Sequence, residues 1–195
     1  YSVSTGNLSD SDEHCPGTIV LGAPHYISTS GIVGTSGGGF GSSVVFDDIN
    51  GDGLDDLLIG APLQYNDVLD SGVVHIYYGD TKPNVLLRVS GQKLLGMLEW
   101  GRFGTALQCI GDINKDGYKD VAIGAPYEEN SKGAVYIYHG GSTKLTFTQK
   151  IKAQDISSNL QSFGWYISTA YDIDKNNYQV QEKSESDVRR CNQRN

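Results

Sequence analysis

The sequence is poor in basic residues and has no long apolar runs. It contains 15 lysine and arginine residues against 23 aspartate and glutamate residues, which gives a formal net charge of −8. This balance argues against nucleic acid or an anionic membrane surface as the main partner. No stretch reaches the roughly 18 consecutive apolar residues that would predict a transmembrane helix. We therefore expect neither a nucleic-acid partner nor a transmembrane segment in this sequence.

The sequence also lacks the start of a complete translation product. Its only methionine is Met97, and residues 1–6 contain neither the basic nor the apolar segment of a secretory signal. We expect it to be a fragment. Among its three cysteines, Cys109 lies in an apolar run, which predicts a buried free thiol. Cys15 and Cys191 lie in polar surroundings, and their pairing stays open.

Glycine and tyrosine are abundant, with 25 and 12 residues, which is typical of many tight turns between short aromatic strands. Two short motifs recur at a period of about 60 residues, except that the first copy of Gly-Ala-Pro stands only 38 residues before the second. Phe-Gly stands at 40–41, 103–104 and 163–164, and Gly-Ala-Pro stands at 22–24, 60–62 and 124–126. Repeats of this period, built from short alternating strands, predict radially arranged sheets or an array of small β modules.

Each repeat predicts an antiparallel sheet of four strands. The first strand follows Phe-Gly, and an acidic loop leads into a second strand that ends at Gly-Ala-Pro, where proline needs no ladder partner. The third strand lies within 72–79 or 133–140, and the fourth within 83–91 or 145–153. A sheet this small buries too little apolar surface alone, so the units must stack.

The acidic loops share one pattern of oxygen-bearing residues. They read DINGDGLDD (48–56), DINKDGYKD (112–120) and DIDKNNYQV (172–180). Asp or Asn stands at positions one, three and five, and a turn-forming residue stands at position six. This resembles the first half of an EF-hand loop and predicts a hard cation, calcium before magnesium. Position twelve lies in a strand, which excludes a helical EF-hand, and the alternative is a solvated turn rich in Asp and Asn.

The order Phe-Gly, then D-x-N-x-D-G-x-x-D, then Gly-Ala-Pro is that of the FG-GAP repeat, and the sequence resembles the β-propeller of integrin α subunits. The resemblance covers about residues 40–179 well and 1–24 in part. It implies an all-β partial β-propeller with four-stranded antiparallel blades. It also implies a non-enzymatic, extracellular part of a cell-surface adhesion receptor. Such a receptor pairs with an integrin β subunit and binds an extracellular matrix or cell-surface protein ligand.

The resemblance implies structural calcium ions held by the hairpin loops. Carried over to this sequence, the ligands are Asp48, Asn50, Asp52, Leu54 (carbonyl) and Asp56 in the first loop, and Asp112, Asn114, Asp116, Tyr118 (carbonyl) and Asp120 in the second. The third loop is a weaker candidate, because Val180 replaces the carboxylate at position nine. Its ligands would be Asp172, Asp174, Asn176 and Tyr178.

The repeats divide the sequence into five segments. We expect an incomplete blade remnant at 1–39, FG-GAP repeats with calcium loops at 40–95 and 96–155, the start of a third repeat at 156–179, and a polar tail outside the family pattern at 180–195. The tail has charge, almost no apolar content and no periodicity. Asn7-Leu8-Ser9 is a glycosylation sequon if the chain is secreted, with Asn7 as the acceptor.

Two other classes of protein carry similar repeats. The chain could belong to the accessory propeller of a secreted enzyme such as GPI-specific phospholipase D, in which catalysis would lie outside these residues. A bacterial FG-GAP surface protein is a third possibility. His75 and His139 align with Tyr136 and Tyr78, so we predict that they fill strand faces rather than catalyse a reaction.

Overall fold

Ten strands account for most of the regular structure in the computed structural model, which describes residues 3–6, 18–21, 38–79 and 91–168. A short antiparallel pair is formed by β1 (Val3–Gly6) and β2 (Thr18–Leu21). The first four-stranded sheet contains β3 (Ser43–Asp47), β4 (Asp56–Ala61), β5 (Val73–Tyr77) and β6 (Gln92–Leu95). The second contains β7 (Ala106–Gly111), β8 (Asp120–Ala125), β9 (Ala134–His139) and β10 (Thr146–Lys152). Both are antiparallel meanders in chain order.

The predicted all-β fold with four-stranded antiparallel blades is confirmed. The second strand of each sheet, β4 or β8, is buried along its whole length. This burial explains why the two strands are almost continuously apolar, since side chains on both faces of each strand are covered. In β3, by contrast, buried and partly buried residues alternate, as they do when one face of a strand is less covered.

The fourth strand of the first sheet differs from the prediction. It runs from Gln92 to Leu95, whereas the apolar segment at 83–91 falls, except for Gly91, outside the described residues. Leu94 faces the core, and the side-chain amide of Gln92 hydrogen-bonds both the N–H and the C=O of Leu145 on the other sheet. The fourth strand of the second sheet, β10, lies within the predicted 145–153.

Two one-turn helices, which the sequence did not predict, lie among the described residues. The helix α1 (Glu128–Ser131) lies between β8 and β9, and α2 (Ala153–Ile156) follows β10. Glu129 and Asn130 within α1 have positive φ, so this turn is left-handed in part. Among the described residues, no helix is long and apolar enough to span a membrane.

The two sheets pack against each other through one apolar cluster. The first sheet contributes Leu58, Val74 and Ile76, and the second contributes Leu107, Val121 and Ile123, among others. Phe103, from the second Phe-Gly pair, is fully buried in this cluster. Its ring meets Tyr136 edge-on, with 5.2 Å between the ring centroids. The phenylalanine of one repeat therefore joins that repeat to the preceding sheet.

The glycine of the Phe-Gly pair also joins the two sheets, through contacts of its backbone. Gly104 has a φ of +88°, a conformation that favours glycine, and its N–H donates to the carbonyl of Gly124 at 3.0 Å. Its own carbonyl accepts from Ser43 Oγ at 2.8 Å and lies against Gly60 of the preceding sheet. Any side chain at Gly60 would overlap that carbonyl. Gly124 meets Gly164 of the next repeat in the same way.

A buried polar pair recurs at equivalent places in the two sheets. In the first sheet, His75 Nε2–H donates to Gln64 Oε1 at 2.7 Å. In the second, Tyr136 OH donates to the buried carboxylate of Glu128, which also pairs with Lys150 at 2.6 Å. The prediction that His75 fills a strand face is consistent with its burial and with its contact to Phe40.

Truncation of Phe103 should destabilise the chain strongly. We expect Phe103→Ala to lower the free energy of unfolding by about 3–5 kcal/mol, because the ring is fully buried between the sheets. Phe147→Ala is the matched control, since that ring is 53% exposed, and it should cost roughly 1 kcal/mol. Urea denaturation followed by circular dichroism measures both. Equal costs for the two variants would contradict the packing described above.

The burial of His75 should make stability depend on pH. Burial, with a smaller contribution from the nearby Lys93 charge, lowers the pKa of His75 from 6.5 to about 4. Between these values the unfolded chain binds more protons than the folded chain, so stability is lost as the pH falls. We expect His75→Tyr, which copies the second repeat, to lose less stability than the parent between pH 7 and pH 4.5. Identical pH profiles in urea denaturation would show that His75 does not titrate in this way.

Candidate metal-binding loops

The two acidic loops occupy the same place in the two sheets. Residues 48–56 connect β3 to β4, and residues 112–120 connect β7 to β8. Positions four to six of each loop are exposed, whereas position nine begins the following strand and is fully buried. The loops are neighbours. The Tyr118 ring lies 3.1 Å from where a Cβ on Gly51 would stand, and Gly141 N–H donates to the carbonyl of Ile49 at 3.4 Å.

The residue at position one organises the backbone of each loop. In the first loop, Asp48 accepts the N–H of Gly51 at 2.7 Å and that of Gly53 at 2.9 Å. In the second loop, Asp112 accepts the N–H of Gly117 at 2.8 Å. Short Asp side chains commonly fold a turn in this way, by capping N–H groups a few residues ahead. Both loops therefore close on their first carboxylate.

The residues at positions three and five repeat this capping further along each loop. Asn50 Oδ1 accepts the N–H of Asp52 at 2.9 Å, and Asp52 Oδ1 accepts the N–H of Leu54 at 2.9 Å. The equivalent hydrogen bonds of the second loop join Asn114 to Asp116 at 3.1 Å and Asp116 to Tyr118 at 3.0 Å. Two separate loops thus adopt one arrangement, set by the types of residue at these positions.

Position nine ties each loop to the end of the third strand. Asp56 accepts the N–H groups of Ile49 and Gly79 at 3.1 and 2.9 Å, and Asp120 likewise accepts from Ile113 and Gly140. Burial, with smaller contributions from the charges of Asp52 and Asp48, raises the pKa of Asp56 to about 7 against the lowering effect of these hydrogen bonds. Burial also raises the pKa of Asp120. The sequence pattern did not indicate this burial.

The chemistry of the loops fits a hard cation. In the described residues, no three His, Cys, Asp or Glu side chains stand close enough together to hold a metal ion, and the carboxylates of Asp48 and Asp52 accept backbone N–H groups. An ionised carboxylate has about four acceptor positions, so one hydrogen bond to each oxygen leaves room for a cation. A cation would also oppose the repulsion that raises the pKa of Asp56. The donor atoms at the expected positions are all oxygens, as calcium prefers.

Two contacts of the loops were not identified from the sequence. His139 Nδ1 lies 3.0 Å from Asn114 Nδ2, at the rim of the second loop. Lys119 forms an ion pair with Asp47, which precedes the first loop, and so links the two sheets. The first contact lies within the second repeat, between its loop and the end of β9. The second joins the two repeats, and only their alignment in space brings its partners together. The buried free thiol predicted for Cys109 is confirmed.

Several predicted residues lie outside the described residues. These are the ligands of the third loop, the sequon asparagine, two cysteines and the tail, that is Asp172, Asp174, Asn176, Tyr178, Asn7, Cys15, Cys191 and 180–195.

In the absence of metal, loss of the buried carboxylate of Asp56 should cost more stability than loss of the exposed carboxylate of Asp52. With a chelator present, we expect Asp56→Ala to cost about 1–3 kcal/mol of unfolding free energy, because two N–H groups lose their buried acceptor. Asp52→Ala should cost no more than about 0.5 kcal/mol, since its loop is exposed. Urea denaturation of both variants in chelator checks this. A larger cost for Asp52→Ala would overturn the distinction.

Comparison with known proteins connects these features to a family. A family model described as FG-GAP repeat matches residues 40–77 and 103–138. Integrin alpha-4 of Xenopus laevis is 39% identical over 145 residues, which cover 72% of this chain and 14% of that protein. Integrin alpha-8 of Gallus gallus is 34% identical over 201 residues, which cover 91% of this chain and 19% of that protein. Integrin alpha pat-2 of Caenorhabditis elegans is 40% identical over 151 residues, which cover 70% of this chain and 12% of that protein. The chain thus spans no more than 19% of these relatives.

Proposed function

The chain belongs to the FG-GAP repeat family and is related to a part of the propeller of integrin α subunits, and from this premise we propose that it serves a non-enzymatic cell-adhesion receptor. In this proposal, the chain is an extracellular part of such a receptor at the cell surface. Its parent pairs with an integrin β subunit and binds a matrix or cell-surface protein. The residue segments 1–39, 40–95, 96–155, 156–179 and 180–195 keep the roles assigned to them above, and Asn7 is glycosylated.

The alternative, an accessory propeller of a secreted enzyme such as GPI-specific phospholipase D, is not favoured. The relatives named above are integrin α subunits and cover 70% to 91% of this chain. The similarity therefore extends well beyond the two FG-GAP matches themselves, to the segments that connect them.

We further propose that the loops at 48–56 and 112–120 bind calcium and that its role is structural. The supporting observation is the matching hydrogen-bond pattern of the two loops, each ending in a buried carboxylate that also holds the end of the third strand. Bound calcium would balance the charge of the carboxylates, while the chain's own N–H groups keep the loop closed. The third loop, with Asp172, Asp174, Asn176 and Tyr178, is proposed as a weaker site.

Calcium should stabilise the chain through these loops. We expect calcium in the millimolar range to raise the melting temperature, because extracellular sites of this class bind at roughly 10⁻⁴–10⁻³ M and ligand binding to the folded state adds stability. The variant Asp52→Ala with Asp116→Ala should lose most of this increase. The measurement is a thermal melt at increasing calcium concentration, with circular dichroism to confirm folding.

The control variant removes the same charge elsewhere. Glu99 and Asp155 are exposed and lie outside both loops, so Glu99→Ala with Asp155→Ala should keep the full calcium response. If this control loses the response as fully as the loop variant, the effect is one of general charge screening and the proposed sites are wrong. No response in a well-folded parent chain would also reject them.

A further inference from the structure

The first loop contains the one Asn-Gly pair of the sequence, Asn50-Gly51. We propose that Asn50 is a site of spontaneous deamidation and that the folded loop controls the reaction by holding both reacting groups in hydrogen bonds. The second loop has Lys115 after Asn114 and is otherwise closely similar, so it provides a comparison within the same chain.

The reaction needs only the chain and water. The backbone nitrogen of Gly51 loses its proton to a base from solvent and attacks Cγ of Asn50. A new N–C bond forms, the bond from Cγ to Nδ2 breaks, and ammonia leaves. Water then opens the succinimide ring at either carbonyl, which gives aspartate or isoaspartate at position 50. Glycine favours the attack because no Cβ crowds its nitrogen or restricts its backbone.

In the structure, both reacting groups, the backbone nitrogen of Gly51 and the side-chain amide of Asn50, are held by hydrogen bonds. Gly51 N–H donates to Asp48 Oδ1 at 2.7 Å, so the nitrogen is engaged by a carboxylate that disfavours loss of its proton. Asn50 is held at both ends of its amide, since Oδ1 accepts the N–H of Asp52 at 2.9 Å and Nδ2 donates to Asp52 Oδ2 at 3.0 Å. Attack on Cγ requires these bonds to open, so we infer that the closed loop protects Asn50.

The contact between the two loops restricts the size of the residue at this position. Gly51 has a φ of +75°, yet Lys115 has a φ of +61° at the equivalent place, so the backbone conformation alone does not demand glycine. A Cβ at position 51, however, would stand 3.1 Å from the ring of Tyr118. Packing of the second loop on the first therefore leaves little room for a side chain at position 51.

The two products would affect the loop differently, and this part rests on the proposed calcium site. Aspartate at position 50 adds a carboxylate at a ligand position and should tighten calcium binding, since affinity follows the charge of the ligands. Isoaspartate adds a methylene group to the main chain and should break the capping of Asp52 N–H by residue 50. Deamidation would thus produce one tighter and one damaged form of the first loop.

The test is site-resolved deamidation of the whole chain by peptide mapping and mass spectrometry. We incubate it at mildly alkaline pH, folded in buffer and unfolded in urea, and follow Asn50 and Asn114 in each sample. Asn50 should react at least about tenfold faster in urea, because local opening must precede reaction in the folded chain. Asn114 should stay far slower than Asn50 in urea. Asn50→Gln should abolish the early product.

Two outcomes would overturn the proposal. Equal rates for Asn50 in buffer and in urea would show that the loop gives no protection, and equal rates for Asn50 and Asn114 in urea would show that the Asn-Gly pair is not special. If exposure alone set the rate, Asn114 would react faster than Asn50 in the folded chain, since Asn114 is the more exposed of the two. A further sample with calcium separates the two proposals. If calcium leaves the folded rate unchanged while the urea effect holds, the calcium site fails and the deamidation site stands.

Discussion

The close approach of the backbones of successive repeats is the constraint on which the rest of the structure depends. The carbonyl of Gly104 lies directly against Gly60, and that of Gly164 lies against Gly124. Because no side chain separates these backbones, Phe103 can fill the space between the sheets, where it is fully buried. The two short motifs therefore contact each other between successive repeats. The Phe-Gly pair of one repeat meets the glycine of Gly-Ala-Pro in the repeat before it.

This stacking also determines where the acidic loops lie. The turn from the first to the second strand falls at the same end of each sheet, so the loops become neighbours, and the Tyr118 ring lies against Gly51. Asp56 and Asp120 connect each loop to the buried end of a third strand. A cation held by a loop would therefore act on the sheet as well as on the turn. This gives a physical reason for a structural role of calcium in the proposal.

Much of this arrangement could be predicted from the sequence. The recurrence of the motifs gave the four-stranded units, and the alternation of oxygen-bearing residues gave the loops. The burial of Asp56 could not be predicted, since it depends on N–H groups of Ile49 and Gly79 that only the folded sheet brings together. The fourth strand of the first sheet was predicted within 83–91 but runs from Gln92 to Leu95, where Gln92 hydrogen-bonds Leu145, a long-range contact that the sequence does not reveal. Local patterns predict strands and turns, and long-range contacts decide between competing segments.

In the proposal made above, the two loops are equivalent calcium sites built on the same backbone hydrogen bonds. The most direct measurement is the shift of the backbone amide signals of Gly53 and Gly117 by nuclear magnetic resonance during a calcium titration. Each of these N–H groups donates to the first carboxylate of its loop, so both signals should move together and saturate. The signal of Gly104, whose N–H donates between strands away from the loops, should stay still. If the amide signals of Gly53 and Gly117 do not shift with calcium in the folded chain, the loops are solvated turns and the proposed calcium sites are wrong.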